Sequence, residues 1–204
     1  MATPEEILQY WFGNLTGPTD CDDSKGAMWW AGGAEVDREI RERFGSDWQR
    51  AKAGELDSWL NAPRSALALI ILLDQFSRNL GRGTPEAFAA DEAALAACRH
   101  ALAAGYDRAL RPIERAFLYM PLMHAEDREA ARECVSRFEE LSREIRETCP
   151  PAHPDFIEHA REHANTVQRF GRYPHRNAIL GRQSTDEELV FLRGGGPNYG
   201  PTKS

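Results

Sequence analysis

The block ALALIILL, Ala66 to Leu73, constrains this chain more than any other stretch. A helix with apolar residues on every side has no face for water, so the block predicts a helix in the middle of the fold. Pro63 suits its first turn, and Gly81-Arg82-Gly83 breaks it after about Asn79. Its eight apolar residues fall far short of the roughly 20 that a membrane-spanning helix needs.

The remaining punctuation is also helical. Thr3-Pro4-Glu5-Glu6 combines an N-cap, a first-turn proline and a capping-box acid, and Gly13 closes the helix that carries Ile7, Leu8 and Trp11. Val36, Ile40 and Phe44 share one helix face before Gly45 interrupts. Thr84-Pro85-Glu86 opens a further helix that Gly105 ends. Pro112 begins a helix with Ile113, Phe117, Met120 and His124 on one face, and Pro121 predicts a kink in it. A charged helix from about Glu126 to Thr148 is stopped by Pro150-Pro151. The next carries Phe156, Ala160, His163, Val167 and Phe170 along one stripe and ends at Gly171. Thr185 and Glu188 form a last capping box for a short helix to Leu192. No alternating segment of useful length predicts a strand. The expectation is an all-α fold of antiparallel helix pairs stacked around one buried central helix. It forms a single domain over residues 1–193, followed by a Gly-rich tail at 194–204. The Trp/Leu-Gly/Tyr pattern of tetratricopeptide repeats is absent, which leaves room for a divergent stack of helical hairpins.

Composition narrows the function classes. Hydrophobic residues at 42% and charged residues at 28% are those of a soluble globular protein. The net charge of −7 disfavours nucleic-acid partners, which require a basic face. The N-terminal MATPEEILQYWFG has no basic n-region of the signal-peptide type. Cys21, Cys98, Cys134 and Cys149 form no CxxC pair, so neither a zinc knuckle nor a disulfide framework is indicated. A reduced, cytoplasmic protein without membrane association and without a cofactor is the simplest expectation.

Four stretches together resemble one known family. They are LLDQFSRN (Leu72–Asn79), YMPLMHAED (Tyr119–Asp127), HANTVQRFGRYPHRNAILGR (His163–Arg182) and STDEELVFL (Ser184–Leu192). The chain resembles the bacterial domain-of-unknown-function family 924, over nearly its whole length. The resemblance implies an all-helical fold similar to tetratricopeptide repeats, and it implies no particular activity. The segment from Arg193 onward matches least.

Chemistry-bearing residues concentrate in the same stretches. Asp74 and Arg78 stand at i and i+4 beyond the apolar block, with Asn79 next to Arg78. They form either a salt bridge with an Asn C-cap or the polar rim of a cleft. His124 continues an apolar stripe, with Glu126 and Asp127 just beyond. A neighbouring carboxylate there either equips an imidazole for proton transfer or satisfies a half-buried histidine. His159 and His163 have the i, i+4 spacing of zinc helices, but the H-E-x-x-H pattern is absent and no metal is expected. No acid falls between Glu162 and Asp186, a window holding Arg169, Arg172, Arg176, Arg182, His163 and His175. Arg169 suits the end of a helix, whose dipole favours a cation. The Gly171 and Tyr173-Pro174 turn brings Arg172, His175, Arg176 and Asn177 toward that helix end. These groups either clamp an anion or pair with acids such as Asp74 and Glu126, docking the C-terminal segment.

The resulting expectation is one polar cleft for a small anionic ligand: a carboxylate, a phosphate or a peptide terminus. Asp74, Arg78, Asn79, Arg172, His175, Arg176 and Asn177 would bind it. His124 or His163 would act as acid or base, with Glu126 or Asp74 as orienter. The alternative is a tetratricopeptide-like scaffold that binds partner peptides without catalysis. A homodimer formed through the tail is a further expectation.

Overall fold

The computed structural model describes residues 1–30 and 32–195. Among these residues the secondary structure is helical throughout, with no strand. The elements are α1 (Pro4–Phe12), α2 (Gly26–Trp30), α3 (Ala34–Lys52), α4 (Pro63–Ile70), α5 (Ser77–Leu80), α6 (Asp91–Ala103), α7 (Pro112–His124), α8 (Arg128–Thr148), α9 (Ile157–Phe170) and α10 (Asp186–Arg193). No described helix is long and apolar enough to cross a membrane.

Local sequence explains most boundaries. Thr3 and Glu6 complete the capping box at α1, and Thr185 and Glu188 complete the one at α10. Gly171 closes α9 at φ 72°, in the left-handed region that glycine enters without steric cost. Two expectations are corrected. Gly45 does not interrupt α3, because buried Phe44, Asp47 and Trp48 hold the helix through it, and tertiary packing outweighs the weak propensity of one glycine. Thr84-Pro85 starts a 3₁₀ turn, Pro85–Phe88, and α6 begins only at Asp91.

The ALALIILL block is fully buried, with Ala66 to Leu72 at most 1% exposed. It does not remain an α-helix. Between α4 and α5 the backbone opens into a π-helical turn, Ile71–Phe76. A π turn adds a residue to the helix and rotates the downstream side chains by about 100°. This rotation separates Asp74 from the purely apolar face. Ser77 anchors the turn: its hydroxyl donates to the Leu73 carbonyl at 2.5 Å and accepts from Trp48 Nε1 at 2.8 Å.

α7 lies beside this central element and runs parallel to it. Arg64 meets Glu114 at one end, and ten residues further along both helices Asp74 meets His124. Successive longer helices return antiparallel. Arg115 pairs with Glu144 and Tyr119 packs on Phe138 between α7 and α8, while Arg161 pairs with Glu139 and Gln168 meets Arg128 between α8 and α9. The main core is aromatic, with Trp11 and Phe12 edge-on to Phe117 at 5.7 and 5.3 Å. A second, small cluster of Ala131, Ala164, Val167 and Tyr173 seats the turn after α9.

Gly81 is required for close approach. A Cβ there would lie 2.2 Å from the Ala87 backbone nitrogen. Gly81→Ala is therefore expected to cost about 1–3 kcal/mol, the usual penalty for overpacking. Urea unfolding measures this, and a midpoint equal to the parent's would refute the packing.

Candidate functional site

The π turn and the C-terminus of α7 converge on Asp74 and His124. Asp74 is 0% exposed. His124 Nδ1 lies 2.8 and 2.9 Å from its two oxygens. A carboxylate only accepts, so Nδ1 carries the proton and Nε2 of the neutral ring keeps its lone pair. Nε2 makes no hydrogen bond to any described residue. Burial opposes the charge of Asp74. His124, Arg78 and the Gln75 amide outweigh that penalty and hold the carboxyl below its ordinary range.

A second carboxylate completes the cluster. Asp91, the first residue of α6, pairs with Arg78 at 2.7 Å and with Arg176 at 3.1 Å. Burial pushes its pKa up, against the pull of those two arginines. Both guanidinium groups lie over the Phe88 ring, at 4.9 and 4.6 Å, and Arg176 also lies over Tyr173 at 4.4 Å. Arg176 donates to the His124 carbonyl, and its buried Nε finds no acceptor among the described residues. Arg78, Asp91 and His124 retain 22%, 18% and 18% side-chain exposure, so the cluster is reached by solvent at these three side chains.

Two further histidines line this region. His163 lies 6.2 Å from His124 between ring centroids and 5.7 Å from Tyr173. Its Nδ1 donates to the His159 carbonyl at 2.8 Å, and burial pushes its pKa down to about 3. His175 packs on Tyr173, and burial, together with Arg176, pushes it down to about 4. His124 differs from both in giving its Nδ1 proton to a fully buried carboxylate. His159 turns to the surface and stacks on Trp30. Among the described residues no three His, Cys, Asp or Glu side chains are arranged to hold a metal ion.

The other expected site residues lie elsewhere. Arg172 donates to Glu188 through Nε and Nη2 at 2.6 and 2.8 Å, and Asn177 joins the same carboxylate at 3.2 Å. Glu126 does not orient His124: it accepts from the Tyr173 backbone and from Arg182 on two oxygens. Asn79 is no C-cap; it donates to Asp37, which Arg82 also binds. Arg169 pairs with Glu187 at the end of α9. The acid-free window thus divides. Arg172, Asn177 and Arg182 dock the C-terminal segment, while Arg176 and His175 reach the Asp74–His124 cluster.

Sequence reasoning missed Asp91, Phe88 and Tyr173. Asp91 reads as an ordinary acid in the first turn of a helix, which the dipole alone explains. The π turn that delivers Asp74 has no signature in the ALALIILL pattern.

The chain matches over residues 7–196 the model of a family described as bacterial protein of unknown function (DUF924), and it belongs to that family. A solved structure of a protein of unknown function from Agrobacterium tumefaciens is similar to it. The two share 34% sequence identity, the match covers 94% of this chain and 97% of that one, and the TM-score is 0.79. No curated protein matches.

Proposed function

With a family that prescribes no reaction, function rests on the site, and we propose that this protein binds a small anionic molecule at the His124–Arg78–Asp91 mouth and moves a proton on it. The observation that carries the reading is the buried Asp74–His124 pair, in which Nδ1 is committed to the carboxylate and Nε2 makes no hydrogen bond to any described residue. Asp74 fixes the tautomer and stabilises the imidazolium that forms when Nε2 takes a proton. Arg78 is the partly exposed cation beside it; its Nη1 donates to the Ala87 carbonyl and its Nη2 pairs with Asp91, so it favours an anion through its charge rather than through a free edge. Asp91 is the carboxylate that holds the Arg78 and Arg176 guanidinium groups beside the pair. Arg176 fixes Asp91 and the His124 backbone from the buried side.

The assignment favours His124 over His163, because the Nδ1 proton of His163 is committed to a backbone carbonyl rather than to a carboxylate. Diethyl pyrocarbonate modification followed by peptide mapping tests it. His124 reacts at Nε2 in the native protein, and inorganic phosphate or acetate protects it. Asp74→Asn slows the reaction at His124 about ten-fold or more while His100 and His159, both exposed, react as before. Reaction at His124 that neither anion suppresses, or that Asp74→Asn leaves unchanged, would overturn the proposal.

A further inference from the structure

A separate cavity of about 1040 Å³ opens between α1 with the loop that follows it and the N-terminal ends of α4 and α7, and Arg64, Arg108 and Arg111 line it with Glu5 and Glu114. It lies at the other end of α7 from His124. Glu114 and His124 are ten residues apart on one helix, which is about 15 Å.

Arg64 is held from behind. Glu114, 2% exposed, accepts from Arg64 Nη1 at 2.7 Å and from the Arg111 backbone at 2.9 Å. Arg111 is committed to the loop carbonyls of Gly17 and Leu15. The remaining edge of Arg64, Nε and Nη2, grips both oxygens of Glu5 at 2.6 Å each. Glu5 sits in the first turn of α1 with 62% of its side chain exposed. A fixed fork-shaped cation therefore holds a largely exposed carboxylate through two parallel hydrogen bonds, a geometry that the carboxylate of a ligand can reproduce in its place. Arg108 stands exposed at the same cavity, and its guanidinium has no ion-pair or hydrogen-bond partner among the described residues.

We infer that this cavity binds an organic carboxylate, which displaces Glu5 from the Nε/Nη2 edge of Arg64 and places a second anionic group toward Arg108. The volume suits a small molecule, whose sites commonly span about 300–1,000 Å³. Planar, two-oxygen recognition by a guanidinium selects carboxylate geometry, and a second carboxylate on the ligand matches the unpartnered cation.

Isothermal titration calorimetry with succinate, on the full chain, tests the inference. Glu5→Gln removes the competing carboxylate and leaves the Arg64–Glu114 pair intact. It should tighten succinate binding about five-fold, equivalent to ~1 kcal/mol at 25 °C. Arg108→Ala should weaken succinate and leave acetate unchanged, and Arg64→Lys should abolish two-point binding. His124→Gln should leave the succinate binding that responds to Glu5→Gln and Arg108→Ala unchanged, which separates this site from the His124 mouth. Absence of saturable binding in both the parent and Glu5→Gln would overturn the inference. So would succinate affinity that is indifferent to Glu5→Gln and Arg108→Ala, or inorganic phosphate displacing succinate from the site sensitive to Glu5→Gln with equal affinity.

Discussion

Replacing Glu188 with alanine lowers the unfolding free energy by about 3 kcal/mol, the lower end of the cost of removing one partner from a buried ion pair. The lower end applies because Arg172, the cation left behind, keeps 28% exposure and regains some water. Glu188 itself is 2% exposed and gathers donors from three places: Arg172, the Asn177 amide and the Thr185 backbone. It is at once the capping-box acid of α10 and the counter-charge of the turn after α9. Arg172 and the Thr185 N–H hold its carboxyl down at about 2, against burial. The unfolded carboxyl titrates near 4.3, so its stabilisation is complete above that pH and is lost as pH falls toward 2. Alanine therefore removes a cap and a counter-ion together. Glu188→Gln keeps an acceptor for Thr185 and Asn177 and should cost less than alanine. The damage should begin locally, with trypsin cutting at Arg172, Arg176 and Arg182 before the helical core opens. If Glu188→Ala unfolds at the parent's urea midpoint with an unchanged tryptic pattern, the docking role of this carboxylate is wrong.

Legibility in the sequence tracks the range of each interaction. Capping boxes, first-turn prolines and helix-ending glycines act within a few residues, and Thr3, Pro63, Gly171 and Thr185 are legible for that reason. The buried central helix is legible because eight apolar residues leave no solvent face. Its π turn is not, because one inserted residue alters hydrogen-bond register without altering composition. The candidate site shows the same division. His124 and Asp74 carry a visible chemistry, yet their pairing across 50 residues depends on α4 and α7 lying parallel, which no local pattern encodes. The acid-free window is visible as a charge anomaly. Its partners, Glu188 and Glu126 among them, stand just outside the window or far from it in sequence, so composition marks the segment without deciding its role. Asp91 is hidden by a sufficient local explanation. The expected dimer contact through the Gly-rich tail falls mostly on residues 196–204, outside the described residues.

Acidification from pH 7 to pH 5 is expected to destabilise the protein by about 4 kcal/mol through His163 and His175. Burial, with His124 beside His163 and Arg176 beside His175, pushes these rings down to about 3 and about 4. In the unfolded chain both titrate near 6.5. Between those values the unfolded state binds a proton at each site and the native state does not, so stability falls as pH falls. Each ring contributes roughly 1.4 kcal/mol per pH unit over that interval, about 2 kcal/mol per ring at pH 5. The carboxylates act in other windows. Asp74, Glu126 and Glu188, all lowered, lose their contribution only below the ordinary carboxylate range. Asp91, raised, works in the opposite direction as pH climbs past that range. The loss between pH 6.5 and 5 therefore belongs chiefly to the two histidines. His163→Asn retains a donor for the His159 carbonyl without titrating, and His175→Asn likewise removes only the ionisable ring. Urea midpoints measured at half-unit pH steps should fall steeply for the parent and stay nearly level for the double variant. Equal slopes for the two proteins would mean that these histidines are solvated as freely in the native state as in the unfolded chain.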